Sequence, residues 1–237
     1  MPIKTGTEEV PTADGGSMPA FAAIPDGGSG PGLVVVQEIF GVNDYVRDRA
    51  RRLAGLGYLA LAPDLYWRQG PGIEIDEAEE GGLERAFGHM QRLDREQAVA
   101  DAGAALSHLR EMPEAGGRAG VIGWCLGGMV AYQLAARYQP DVAVIYYGSG
   151  IDQMTDLAGA ISCAALFHFG DSDTYLPPDT ADRFRALFAG RGDVEFRLHH
   201  GAGHAFDNDR APMFHHPQAA AESWQQTCDF LARRYPP

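Results

Sequence analysis

The stretch VIGWCLGG, residues 121–128, decides the fold of this chain. Its first residues are apolar, as in a buried strand, and MVAYQLAA follows at residues 129–136 with the composition of a helix. Cys125 stands between the two segments, flanked by Gly123 and Gly127. A strand that turns sharply into a helix leaves no room for side chains beside the turn, so glycine is expected at these positions. The stretch therefore predicts a strained turn that presents the Cys125 thiol.

Such a turn is typical of the nucleophile elbow of an α/β-hydrolase, with cysteine in the place where serine is usual. The free N–H groups and the positive dipole end of the following helix point toward the sulfur and favour the thiolate over the thiol. A buried cysteine in a Gly-rich packing turn has the same local sequence, so the rest of the chain has to distinguish the two interpretations.

Apolar strands and amphipathic helices alternate on both sides of the elbow. Residues 8–25 indicate a leading hairpin, and Asn43 or Asp44 caps the first helix. Further strands are predicted over 33–36, 58–62, 142–147, 164–169 and 194–198, and further helices over 77–92, 94–111, 177–188 and 217–234. Alternation at this spacing suits right-handed crossovers between parallel strands. We predict one α/β-hydrolase domain over residues 1–237, with a mostly parallel central sheet of about seven to eight strands flanked by helices and no large lid.

Composition excludes several classes of function. The 237 residues carry a formal net charge of −13, whereas a surface that follows nucleic-acid phosphates needs a basic stripe. No apolar run approaches membrane-spanning length, and the three cysteines contain no Cys-x-x-Cys pair. The histidine pairs lack metal-ligand spacing, and no phosphate-binding loop is present. We therefore expect a cytoplasmic monomer or small homo-oligomer that needs no metal or cofactor and binds neither nucleic acid nor membrane.

A nucleophile, an acid and a histidine follow the ends of predicted strands, where open α/β sheets hold their working residues. Cys125, Asp173 and His204 occur in the chain order of an α/β-hydrolase triad. His204 can take the thiol proton and return it to a leaving group, and Asp173 can orient the imidazole. Asp171 is an equally placed rival acid at this stage. The backbone N–H groups of Leu126 and Ile39 are predicted to form the oxyanion hole.

Six segments in order then show a resemblance that covers nearly the whole chain. They are QEIFG at 37–41, APDLY at 62–66, GWCLGG at 123–128, Tyr147-Gly148, Gly170 with Asp173 and Pro177, and GHAF at 203–206. Together they resemble the dienelactone hydrolase family (carboxymethylenebutenolidases). The resemblance implies a Cys–His–Asp triad that opens lactone or ester bonds and favours Asp173 over Asp171. It also implies that Glu38 contacts the thiol and helps to deprotonate it once substrate binds.

The resemblance also suggests where substrate lies. Phe40, Phe87, Met90 and Tyr147 match apolar pocket positions of the family, although helix packing explains Phe87 and Met90 equally well. Trp124, directly before the nucleophile, is a further candidate for the pocket wall. Two arginines bind the substrate carboxylate in the family, and Leu83 and Asn208 stand at their positions here. Arg85 and Arg210, each two residues further on, are the candidate replacements.

The sequence therefore predicts a thiol hydrolase of a small-molecule lactone or ester. Two alternatives stay open. One is a protein that binds or senses a ligand on a hydrolase fold without turning it over, which the two missing arginines keep possible. The other is a general carboxylesterase of different specificity.

Overall fold

The computed structural model describes residues 3–237, which form a single eight-stranded sheet and six α-helices. The strands are β1 (Lys4–Pro11), β2 (Ser17–Ile24), β3 (Gly32–Val36), β4 (Leu59–Pro63), β5 (Ala119–Trp124), β6 (Val142–Tyr146), β7 (Ala164–Gly170) and β8 (Val194–His199). The helices are α1 (Asp44–Gly55), α2 (Gly82–Arg92), α3 (Arg95–Glu111), α4 (Leu126–Arg137), α5 (Thr180–Leu187) and α6 (Pro217–Arg234).

The sheet has the strand order β1-β2-β4-β3-β5-β6-β7-β8. β1 and β2 form the leading hairpin, and β2 pairs antiparallel with β4. All pairings from β4 across to β8 are parallel. The predicted α/β-hydrolase architecture, with a mostly parallel sheet of seven to eight strands, is confirmed. Every residue of β3, β4, β5 and β6 is buried, which explains why these strands read as continuous apolar runs.

Local signals placed most helix ends correctly. Asn43 caps α1 by accepting a hydrogen bond from the backbone N–H of Val46, and α6 spans the predicted residues 217–234. The prediction for α2 was wrong at its start, because this helix begins at Gly82 rather than at residue 77. Residues 73–77 instead pack along the segment after β3, where the Ile75 N–H donates to the Phe40 carbonyl. Tertiary pairing thus overrides helix propensity there.

The parallel strands bring the candidate residues to one edge of the sheet. Glu38 follows β3, Cys125 follows β5, Asp173 follows β7 and His204 lies beyond β8. Because β3, β5, β6, β7 and β8 are neighbours in that order, side chains far apart in sequence meet above their carboxyl ends.

None of the helices within residues 3–237 is both long enough and apolar enough to cross a bilayer.

Candidate active site

Cys125 forms the turn between β5 and α4 in a backbone conformation that few L-residues adopt, with φ 55° and ψ −113°. Conformations of this kind cost about 1–3 kcal/mol and persist only where the surroundings impose them. A Cβ on Gly123 would lie 2.1 Å from the Gly127 carbonyl oxygen, and one on Gly127 would lie 2.2 Å from the Val36 carbonyl oxygen. The glycines of the motif are therefore required by the close approach of β3, β5 and α4.

A chain of polar contacts connects the Cys125 sulfur to a carboxylate. Cys125 Sγ lies 3.5 Å from Ser149 Oγ, which lies 3.4 Å from His204 Nε2. His204 Nδ1 lies 2.8 Å from Asp173 Oδ2, and Asp173 Oδ1 accepts the backbone N–H of Tyr175. The structure thus brings together the nucleophile, base and acid named from the sequence.

The rival acid is located elsewhere. Asp171 is bonded to His200 and to the backbone N–H of Gly201, at the protein surface. The structure therefore distinguishes two aspartates that the sequence places equally close to the end of β7.

The electrostatics of His204 favour a charged imidazole beside the sulfur. Burial by itself lowers the pKa of His204, but the charge and hydrogen-bonding of the Cys125 sulfur and of the Asp173 carboxylate outweigh burial and raise this pKa to about 10. A protonated imidazole next to the nucleophile is the arrangement that stabilises a thiolate.

Glu38 is almost completely buried, with 2% of its surface exposed, and lines the same cavity as Cys125. Its Oε2 accepts a hydrogen bond of 2.6 Å from Asn208 Nδ2, whereas its Oε1 has no hydrogen-bond partner among the described residues. Burial raises the pKa of Glu38 to about 7. Among the described residues, Glu38 neither caps a helix nor forms an ion pair.

Of the two predicted oxyanion donors, Ile39 borders this cavity and Leu126 begins the helix beside it. Leu126 is the first residue of α4, so its N–H has no acceptor within the helix. Ile39 lines the cavity, and the Glu38 carbonyl, in the peptide group that carries the Ile39 N–H, accepts a hydrogen bond from the Gln37 side-chain amide at 3.4 Å. Both positions are compatible with the predicted donor role.

The cavity has a volume of about 270 Å³ and mostly apolar walls. Phe40, Phe87 and Met90 line it, as predicted. Trp124 and Tyr147 do not, and the expectation that they form its wall needs correction. Both are fully buried behind the site, where Trp124 stacks on Tyr146 and the Tyr147 ring lies 5.1 Å from that of His204. A side chain next to the nucleophile in sequence points away from it because successive residues of a strand face opposite sides.

Neither predicted arginine lies in the cavity. Arg85 projects from α2 into solvent and pairs with Glu79, and Arg210 lines a separate, acidic depression. Among the described residues, the one arginine that borders the cavity is Arg95, the first residue of α3. Arg95 has no hydrogen-bond or ion-pair partner among residues 3–237.

Sequence reasoning missed Ser149 and Arg95 as site residues. Ser149 could have been found, because it follows Tyr147-Gly148 at the end of β6, where working residues gather. Arg95 gives no local signal. It reaches the cavity only through the packing of α3 against the sheet.

Comparisons with known proteins point to one family. Residues 18–235 match the model of the dienelactone hydrolase family. Carboxymethylenebutenolidase 1 of Cupriavidus pinatubonensis is 34% identical over 206 residues, which cover 87% of this chain and 88% of that protein. Carboxymethylenebutenolidase of Pseudomonas putida is 34% identical over 219 residues, or 92% of each chain. A Klebsiella pneumoniae crystal structure assigned as a dienelactone hydrolase superposes with a TM-score of 0.80 at 32% identity, covering 98% of this chain and 99% of that one.

Proposed function

The chain belongs to the dienelactone hydrolase family and is a hydrolase of esters or lactones, and on this premise we propose that it works through a Cys125 acyl-enzyme. The observation that carries the proposal is the continuous contact from Asp173 through His204 and Ser149 to the Cys125 sulfur at the cavity wall.

In the proposed first half-reaction, the Cys125 thiolate attacks the carbonyl carbon, and a carbon–sulfur bond forms while the carbonyl π electrons move to oxygen. The oxyanion accepts hydrogen bonds from the Leu126 and Ile39 N–H groups. When the carbonyl re-forms, the carbon–oxygen bond to the leaving group breaks and protonated His204 donates its proton to that oxygen.

In the second half-reaction, neutral His204 accepts a proton from water, whose oxygen attacks the thioester. The carbon–sulfur bond then breaks, the acid leaves, and the thiolate–imidazolium pair is restored. Asp173 keeps Nδ1 protonated throughout, so that Nε2 faces the reacting groups. When a lactone ring opens, the alcohol stays attached to the acyl group. Lactones and simple esters therefore pass through the same two half-reactions at this site.

Trapping the intermediate tests the proposal. Acid quenching during turnover of an aryl ester is expected to show, by peptide mass spectrometry, one acyl group on Cys125 and none on Cys163 or Cys228. Turnover with no acylation at Cys125 under rapid quench, or stable ligand binding with no turnover of a dienelactone or an aryl ester, would reject it. The second outcome would favour the ligand-binding alternative.

Arg95 makes the proposal specific about substrate. An unpaired guanidinium at the mouth of an apolar cavity suits a substrate with a carboxylate distant from the scissile bond. Arg95→Ala is therefore expected to lower kcat/KM for a carboxylate-bearing ester about fivefold, because an exposed charge pair contributes about 1 kcal/mol. The kcat/KM for the matched neutral ester is expected to stay unchanged. Arg85→Ala is the control, since Arg85 lies outside the cavity. Equal effects on both esters would favour the general carboxylesterase.

A further inference from the structure

The side chain of Asn208 joins two buried carboxyl groups from distant parts of the chain. Its Nδ2 lies 2.6 Å from Glu38 Oε2 and 3.1 Å from Glu77 Oε1. Its Oδ1 accepts the backbone N–H of Arg210 at 2.9 Å. These three residues, Glu38, Glu77 and Asn208, form what we call the junction, and each is at least 96% buried. One carboxamide group thus donates to both carboxyls.

The orientation of this amide is fixed by its partners. Turning it over would place Oδ1 against two carboxyl oxygens and Nδ2 against the N–H of Arg210, so every contact would become repulsive. Asn208 therefore presents its two hydrogens to Glu38 and Glu77.

Glu77 is held at the junction by the segment that replaces the predicted start of α2. The Asn43 Nδ2 donates to Glu77 Oε1 at 2.7 Å and to the Ile75 carbonyl at 3.1 Å. A close crossing between Gly41 and residues 73–74 supports this segment, where a Cβ on Gly41 (φ 84°) would lie 2.0 Å from the Ile73 carbonyl oxygen. Glu77 is as firmly positioned as Glu38.

The side chains of the junction are two acids and one amide. Arg210 lines the same surface depression as Glu77, but no ion pair between them is found among the described residues. The buried guanidinium nearest in sequence to Asn43, that of Arg49, is bonded to Asp207. Glu77 accepts hydrogen bonds from two amides, whereas Glu38 accepts one and has an oxygen without a partner. Two adjacent buried carboxyls repel each other when both are ionised, and the one with an unpartnered oxygen is Glu38.

We propose that Asn208 couples Glu38 and Glu77 into a pair that retains one proton up to neutral pH, and that this proton resides on Glu38, which therefore faces the substrate as a hydrogen-bond donor. The unpartnered Oε1 of a side chain that lines the cavity is the atom left to make this contact. The elevated pKa of Glu38 agrees with this assignment.

Several other groups act on Glu38. The charge of His204 lowers the pKa of Glu38, and the carboxylates of Glu77 and Asp207 raise it, after the dominant effects of burial and of the Asn208 hydrogen bond. The phenols of Tyr45 on α1 and Tyr147 after β6 also face this carboxyl and are held neutral by burial. No guanidinium or ammonium is among these groups.

The consequence for the reaction rests on the proposed function. A protonated Glu38 cannot accept the thiol proton, which leaves that task to His204. Glu38 instead donates a hydrogen bond to an oxygen of the bound ester or lactone, where negative charge develops. Asn208 acts as a positioning residue, through Glu38.

Infrared titration of the substrate-free protein tests the pair without requiring turnover. The difference spectrum between wild type and Glu38→Gln isolates the carbonyl band of protonated Glu38, which is expected to titrate near neutral pH. In the isosteric Glu77→Gln background the midpoint is expected to fall by about one pH unit, because a like charge is lost. In Asn208→Leu the midpoint of the Glu38 titration is expected to rise, because the amide that donates a hydrogen bond to the ionised Glu38 carboxylate is lost. A Glu38 band absent above pH 5, or one unmoved by Glu77→Gln, would overturn the pair.

Kinetics test the donor role separately. Glu38→Gln keeps an N–H donor and Glu38→Leu does not, so kcat/KM is expected to be about tenfold higher in Glu38→Gln, with both below wild type. Wild-type kcat/KM is expected to decline as pH rises through the Glu38 titration, and Glu38→Gln is expected to lack that decline. If both variants lose activity equally, by about 10²-fold or more, Glu38 acts as a base and the donor role is rejected. A wild type with no turnover would reject the hydrolase mechanism and leave the infrared result standing.

Discussion

Replacing Cys125 by alanine is expected to lower kcat/KM for an aryl ester by at least about 10⁴-fold, because it removes the thiol that forms the proposed acyl-enzyme. Cys125 alone among the three cysteines occupies the elbow and borders the cavity, and Cys163 and Cys228 lie elsewhere in half-buried positions. Burial raises the pKa of both of these thiols, so neither is a ready nucleophile at neutral pH. Steady-state kinetics of the purified variant provide the measurement.

Cys163→Ala and Cys228→Ala serve as matched controls and are expected to keep wild-type kinetics. Substantial residual hydrolysis in Cys125→Ala would show that the ester is cleaved by a different route, such as general-base attack of water by His204. Cys125→Ser adds a further distinction. Retained activity in that variant would mean that the site works as well with a hydroxyl, and that the thiolate–imidazolium pair is not essential.

Asp173→Asn is expected to lower kcat/KM by about 10⁴-fold, because an amide in this position no longer holds the imidazole with Nδ1 protonated and Nε2 facing the thiol. Only 2% of the Asp173 side chain is exposed, and its two oxygens bond His204 Nδ1 and the Tyr175 N–H. Loss of the carboxylate also removes one of the two groups that raise the pKa of His204. His204 should therefore lose its proton at a lower pH than in wild type, which narrows the pH range over which an imidazolium stands beside the sulfur.

Two readouts check this expectation. One is kcat/KM, and the other is the pH profile of Cys125 alkylation by iodoacetamide, which reports the thiolate without substrate. Asp171→Asn is the control, since Asp171 lies at the same strand end but bonds His200 and Gly201 at the surface. If both variants behaved alike, the assignment of the acid would be wrong.

Much of the site was predictable because its signals are local. The elbow glycines stand two residues before and after Cys125, and the acid and the histidine each follow a predicted strand. Strand order then brings these residues together, because neighbouring parallel strands have their carboxyl ends at one edge of the sheet. The predicted roles of Cys125, His204, Asp173 and Glu38 themselves await the experiments above.

The substrate pocket was less predictable, and the errors have a common cause. Distance along the chain points to Arg85 and Arg210, yet Arg85 extends into solvent and Arg210 lines a separate depression, whereas Arg95 reaches the cavity from α3. Trp124 was chosen because it adjoins the nucleophile, and it points into the core. The position of a residue along the chain does not fix the direction in which its side chain points, because that direction depends on the loop, strand or helix that carries the residue.

The sequence by itself determined the α/β-hydrolase fold and the strand-end positions of the predicted nucleophile, acid and histidine, because both depend on periodicity and on turn chemistry that neighbouring residues fix. Only the tertiary structure decided which aspartate meets His204, which arginine borders the cavity, and that Asn208 joins Glu38 to Glu77. These contacts join segments separated by 31 to 170 residues, and their geometry arises from the packing of whole elements. The nucleophile is thus encoded locally, whereas the charge and shape of the pocket around it are set by the fold.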